Sequence, residues 1–280
     1  MSETYLPDNI QKPHFAIRVS NTLTYLQRKS WALLYLNARN TLDDDFHYIP
    51  LSIVSNTLEA HHDKDLKNAL TKLSSTAVEW NITNDDGCVK SWTTSAMIGS
   101  SNIVDGTTVL RYEFTKAMKE LFRANPNYAT LEISVMNRLK SKHALALWEF
   151  CKIFVTSQSG STGWKTVEEW RGIFGLQKNK YLRFKDFSNY VINKAFHEVN
   201  ELSDITVKPE YKRSGRSVSE IRFVLKRNTK EIEKLEKTLE ESKIPQLTWL
   251  GKKSKAIQKK LEAEFDFLTK TEDAYQRHIE

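Results

Sequence analysis

FKDFSNYVINKAFHEVNELSDITVKPEYKRSGRSVSEIRFVL, residues 184–225, decides the fold. Its first half has a helical period. Phe187, Val191, Ala195 and Val199 recur four apart and predict one apolar face over 184–201. Its second half switches to strands. Ile205–Tyr211 and Val218–Leu225 read as a hairpin, with Lys212-Arg213-Ser214-Gly215-Arg216 as a basic turn between them.

Moving towards the N-terminus, Thr166 is placed to cap a short helix, VEEWRGIFG, stopped by Gly172 or Gly175. Two helices are expected before it, over 131–140 and 141–156. The second would bury Leu145, Leu147, Trp148, Phe150 and Ile153. Ser157–Gly163 is a Ser/Gly loop.

The first part of the chain follows the same plan. Thr24–Arg39 reads as a helix with Leu23, Leu26, Trp31, Leu34 and Tyr35 near one face. Asp43-Asp44-Asp45 breaks it, Phe46–Ile49 is a short strand, and Pro50 opens a helix over 51–59. After a turn at His61-His62, Asp63 can cap DKDLKNALTKLSS, with Leu66, Leu70 and Leu73 as its stripe. Val78–Thr83 and Val89–Met97 flank Asn84-Asp85-Asp86-Gly87 as a hairpin. Val109–Phe114, after an Asp105-Gly106 turn, is a further strand. TKAMKELF then forms a helix that ends near Asn125-Pro126.

Helix, short helix, longer helix and hairpin therefore occur twice. The fold class is α+β: two tandem winged helix-turn-helix domains, over 1–128 and 129–227, with a charged helical tail over 228–280. Residues 1–20, with Pro7 and Pro13, read as an arm. In the tail, Leu235 and Leu239 lie within a Glu/Lys-laced pattern, Pro245 breaks it, and a second amphipathic helix is expected over Lys255–Leu268.

Charge separates the domains. Residues 1–128 hold 13 Lys/Arg and 14 Asp/Glu, a net −1; 129–227 hold 18 and 10, +8; 228–280 hold 11 and 11, zero. The whole excess of +7 lies in the middle segment, which on charge alone fits either a polyanion-binding domain or a solvated basic surface kept for solubility.

Enzyme signatures are missing from the sequence. It contains no GxxxxGK[ST], GxGxxG or GxSxG. His61 and His62 are adjacent, unlike the spaced pair of metal-dependent nicking enzymes. Asp43-Asp44-Asp45 lacks the spacing and glycine of a calcium loop. Cys88 and Cys151 are too few for a multi-cysteine zinc site, and Cys151 should lie in the core. No run approaches a membrane span, and the N-terminus does not read as a secretory signal. The expectation is a non-enzymatic, cytoplasmic protein with no cofactor and no metal.

On the 184–201 helix, Lys185, Asn189, Asn193 and His197 follow one another at steps of four on the face opposite the core. Lys178, Lys180 and Arg183 lead into it. Such a face can be a solvated helix surface. It can also read a major groove, with Lys or Arg donating to guanine and Asn pairing with adenine. The hairpin favours the second use, because Lys208, Lys212, Arg213 and Arg216 would follow phosphates. The first domain offers a weaker set, Lys64, Lys67, Asn68 and Lys72. Its hairpin, AVEWNI and KSWTTSAMI, is apolar and aromatic and suits either a core or an edge that pairs with another subunit.

These stretches resemble the replication initiators of iteron plasmids, the RepB/RepE-type initiator family. The resemblance runs through LTYLQRKSWALLYLNAR, IPLSIVSNTL, DLKNALTKL, AVEWNI, LKSKHALALWEFCKIF, TVEEWRGIFGL, YLRFKDFSNYVINKAFHEVNELSDITV and SEIRFVLKR, over about residues 15–227. It implies that the second domain binds direct repeats, or iterons, of double-stranded origin DNA. Arg183, Lys185 and Asn189 would then supply contacts, with Lys180 and Tyr181 where the chain enters the helix. It further implies auxiliary DNA contacts and dimerisation by the first domain. A homodimer in equilibrium with monomer would repress the protein's own gene at an inverted repeat. Host replication proteins, an initiator and a helicase, would be partners in a bacterial cytoplasm. The tail departs from the short C-terminus of the resembling proteins. A stand-alone tandem winged-helix repressor is the alternative function.

Overall fold

A computed structural model describes residues 9–13, 23–58, 63–83, 89–104, 108–124, 128–155, 157–233 and 259–266. The expected turns at His61-His62, Asn84–Gly87, Asp105-Gly106 and Asn125-Pro126, together with Cys88 and most of the tail, lie outside the described residues. Contacts divide the chain into two units. One comprises 1–7, 29–124 and 246–280; the other 8–28 and 125–245. The boundary falls inside a helix, after Arg28.

The elements run in the order β1 (Asn9–Pro13), α1 (Tyr25–Ala38), β2 (His47–Pro50), α2 (Leu51–Leu58), α3 (Asp63–Ser75), β3 (Ala77–Thr83), β4 (Val89–Ala96), β5 (Ser100–Ile103), β6 (Val109–Glu113) and α4 (Lys116–Ala124). Then come β7 (Tyr128–Glu132), α5 (Ile133–Arg138), α6 (Lys142–Lys152), β8 (Lys165–Thr166) and α7 (Val167–Ile173). A composite helix follows, α8, running over Phe184–Phe187, Ser188–Ile192 and Asn193–Leu202. β9 (Ile205–Ser214) and β10 (Ser217–Arg227) close the second winged helix.

In the first unit α1 is buried all round from residue 29 to 38. Trp31 stacks on Tyr35 at 5.8 Å, and Tyr35 meets Phe122 at 4.7 Å. The Tyr112 hydroxyl donates to the Leu34 carbonyl at 2.6 Å and accepts from Asn37 Nδ2 at 2.7 Å. A buried phenol needs such partners. α3 follows α2 at the recognition-helix position, with Leu66, Leu70 and Leu73 buried as their spacing predicts. β3 and β4 form the hairpin, while β2, β6 and β5 form a separate three-stranded sheet.

In the second unit α6 is capped by Ser141, whose hydroxyl accepts from the His143 and Ala144 amides. α7 begins with a capping box between Thr166 and Glu169. Hydrogen bonds from the Thr166 amide and hydroxyl hold the Glu169 carboxyl below its ordinary pKa. Trp170 is the hub of this core. Its ring meets Phe150 at 5.3 Å and Phe223 at 4.8 Å, and its Nε1 donates to the Ile221 carbonyl at 2.9 Å. Cys151 is buried there, and burial pushes its thiol pKa up.

Several boundaries differ from the sequence reading. Residues 9–13, read as part of an arm, are a strand paired with 128–132, Asn9 opposite Glu132. That pairing takes Leu131 and Glu132 from the expected 131–140 helix, which begins at Ile133. The helix expected over 141–156 ends at Lys152. The basic turn expected over 212–216 is shorter. Lys212 and Arg213 extend β9, opposite Glu220 and Val218. Gly215, at φ +59, lets Gly215-Arg216 close the hairpin in two residues. Among the described residues no helix is long and apolar enough to cross a membrane, and no cluster of His, Cys, Asp and Glu could hold a metal.

Candidate nucleic-acid interface

The second unit presents α8, its approach loop and the β9–β10 wing. α7 ends at Phe174, and Gly175 at φ +63 turns the chain away. The loop 176–183 is then tied down by one buried side chain. Arg171 donates from Nη2 to the Lys180 carbonyl at 2.5 Å and from Nη1 to the Tyr181 carbonyl at 2.7 Å. Its Nε lies 3.4 Å from Glu168 and its guanidinium 5.7 Å from the Phe187 ring centroid. Between these anchors Tyr181 sits at φ +53. A tyrosine reaches that region only where its surroundings fix it.

Tyr181 then stacks on Tyr190 of α8 at 5.7 Å and 26°, and Lys194 Nζ lies 5.8 Å from the Tyr190 ring. Phe184 packs edge-on to Tyr211 of the wing at 5.8 Å. The helix is thus held at its start from both the loop and the hairpin.

Residues 188–192 form a π turn, which adds one residue to a helical turn. Phe187, Val191, Ile192, Ala195 and Val199 are buried. Lys185, Asn189 and His197 are exposed, whereas Asn193 is half-buried, its Nδ2 3.5 Å from Asn189 Oδ1. The wider turn brings Tyr190 and Lys194 into the exposed row as well. Lys180 and Arg183 are exposed beside it, Arg183 at the N-cap position without a side-chain cap bond.

The wing holds its cations in two ways. Lys212 pairs with Glu220 at 3.1 Å and lies 4.4 Å from the Trp164 ring centroid. Arg222, paired with Glu210 at 2.7 Å, lies 4.7 Å from the same ring. Arg213 and Arg216 are exposed and make no ion pair among the described residues. In the first unit Lys64, Lys67 and Asn68 are exposed on α3.

Four contributors escaped the sequence reading: Arg171, Tyr190, Lys194 and Trp164. Tyr190 and Lys194 stand four apart on one helix and were legible as a pair. Arg171 and Trp164 act through chain folded back from other elements, which local spacing does not reveal.

Residues 9–152 match the family model of the initiator replication protein WH1 domain, and residues 166–225 that of the initiator Rep protein WH2 domain. No curated protein matches the chain. Among solved structures, the crystal structure of selenomethionine derivatives of domains 2 and 3 of RctB is 8% identical. It is matched over 73% of this chain and 82% of that one, with a TM-score of 0.43. A second crystal structure of RctB domains 2–3 is 9% identical, over 75% and 84%, with a TM-score of 0.42.

Proposed function

The chain belongs to the initiator Rep protein family, and from that premise we propose that it binds the direct repeats of a plasmid origin through its second winged helix. The observation that carries this reading is the braced α8. Lys185, Asn189, Tyr190 and Lys194 are exposed along it, Lys180 and Arg183 at its start, and Arg213 and Arg216 on the wing beside it. α8 enters the major groove, where Arg, Lys and Asn read base edges. The wing cations follow the phosphate backbone and position the helix. Lys64, Lys67 and Asn68 add backbone contacts from the first domain.

Binding energy on this reading comes from counterion release and groove contacts, without catalysis. Several copies on adjacent repeats deform the origin DNA and, with a host initiator and helicase, open it. A homodimer in equilibrium with monomer represses the protein's own gene at an inverted repeat.

The test is a gel-shift titration against DNA flanking the gene, at two salt concentrations. A ladder of discrete, competitor-resistant complexes, weakened steeply by salt, is expected. A single shifted band overturns the repeated-site reading, and the absence of any specific shift overturns DNA recognition itself.

A further inference from the structure

Strand alternation gives the β2–β6 pair two faces. His47, Ile49, Leu110 and Tyr112 are buried in the core of the first unit. Tyr48 and Arg111, opposite one another in register, stand on the other face. That face is covered by a helix from the end of the chain, residues 259–266.

The cover is specific. Phe265 is buried and meets Tyr48 edge-on at 6.0 Å. The Arg111 guanidinium lies 4.6 Å from the Phe46 ring centroid and 4.7 Å from that of Phe265, so the two rings share one cation. Thr108 Oγ1 donates to Glu264 Oε1 at 2.7 Å. Burial, then the carboxylates of Glu262 and Asp266, raise the Tyr48 pKa against the opposing effect of Arg111. At the other end of the helix, Lys259 lines a depression of about 480 Å³ together with Asp43, Asp44 and Asp45. Glu262 lines the same depression, so the helix brings one cation and one carboxylate to the acidic loop.

An eight-residue helix does not persist alone in water. Its order comes from this surface, through Phe265 on Tyr48 and Arg111 and the Thr108–Glu264 hydrogen bond, with Leu261 buried one turn before Phe265. Those contacts depend on the chemistry of the helix and are the same whether it is tethered or free. We propose that the outward face of β2–β6 is an exchangeable docking surface for an amphipathic helix that carries a carboxylate beside its apolar anchors. The chain's own tail is its resident cover, and a partner helix with an apolar pair four residues apart and a carboxylate placed to accept from Thr108 displaces it. This is the helix-in-groove mode of recognition, read from i and i+4 anchors. It is independent of the DNA-binding reading.

The probe is a fluorescent peptide of residues 255–270, added to the full-length chain and followed by anisotropy. Wild-type chain should bind it weakly, because the tethered tail competes at high effective concentration. Full-length chain carrying Leu261→Ser and Phe265→Ser should bind it at least ten-fold more tightly. Arg111→Ala in that background should abolish the gain. A second opened chain, Glu262→Lys with Glu264→Lys and Asp266→Lys, changes only the tail and should gain in the same direction. Equal binding by wild-type and both opened chains, or no binding by either opened chain, overturns the proposal.

Discussion

The two winged-helix regions share a plan and differ in what they do with charge. The second carries a net +8 over 129–227 and holds its helix from two sides, by Arg171 through its approach loop and by Tyr211 from the wing. In the first, at −1, α3 carries Lys64, Lys67 and Lys72 but also Asp63 and Asp65. Its hairpin displays Trp92, 60% exposed, with Thr93 and Thr94 beside it. On the proposed function, the scaffold alone does not make the main DNA reader. The cations must be grouped, and the helix bearing them must be held in a fixed pose, since misplaced contacts lose their differential energy.

The largest effect expected from this contrast is on specific binding. Arg183→Ala with Lys185→Ala removes two of the proposed contacts, each about 1–3 kcal/mol for a base-directed group. Affinity for the repeats should fall roughly 100-fold or more, with the melting temperature unchanged. Lys64→Ala with Lys67→Ala, the same loss of charge in the first domain, should cost only several-fold. Equal losses in a gel shift would dissolve the distinction between the domains.

Arg171 tests the bracing. Lysine keeps the charge but cannot fork to two carbonyls. Arg171→Lys should lower specific affinity about ten-fold while leaving non-specific binding nearly intact. A proportional fall in both would mean that the loop geometry does not matter for reading. On the wing, Arg213→Ala with Arg216→Ala should weaken all sequences alike and flatten the salt dependence by about two counterions. Lys212→Ala should do less, because Lys212 is already paired with Glu220 and stacked on Trp164.

Much of this architecture was legible locally. The capping residue Thr166, the leucine stripe of α3 and the buried row of α8 all follow from short-range rules, and the structure agrees with each. The β1–β7 pair did not follow. Its strands are separated by over a hundred residues, and neither segment has an alternation strong enough to announce a partner. The π turn was invisible for a related reason. SNYVI fits an α-helix equally well, and packing both Val191 and Ile192 into the core selects the wider turn. At the candidate interface the exposed cations could be read from spacing. The Arg171 fork could not, since it joins backbone atoms of a loop that has no periodicity.

The smallest expected effect concerns the frame behind α8. His143, near the start of α6, lies with Nδ1 3.2 Å from the Phe174 carbonyl at the end of α7. A carbonyl only accepts, so the neutral ring carries its proton on Nδ1. Burial first, then the neighbouring charge of Lys142, pull its pKa down to about 4. The unfolded chain takes up a proton near pH 6.5 that the folded one refuses, so stability is lost as pH falls from about 6.5 towards 4. Glu132 works in the opposite sense, its pKa raised by burial first and by Asp204 second. The wild-type slope alone is therefore ambiguous, and the useful quantity is the difference from His143→Gln, which keeps a donor but cannot charge. That variant should lose fewer degrees of melting temperature between pH 6.5 and 5 than the wild type. Identical slopes would show that the α6–α7 contact is not what acid breaks in the second domain.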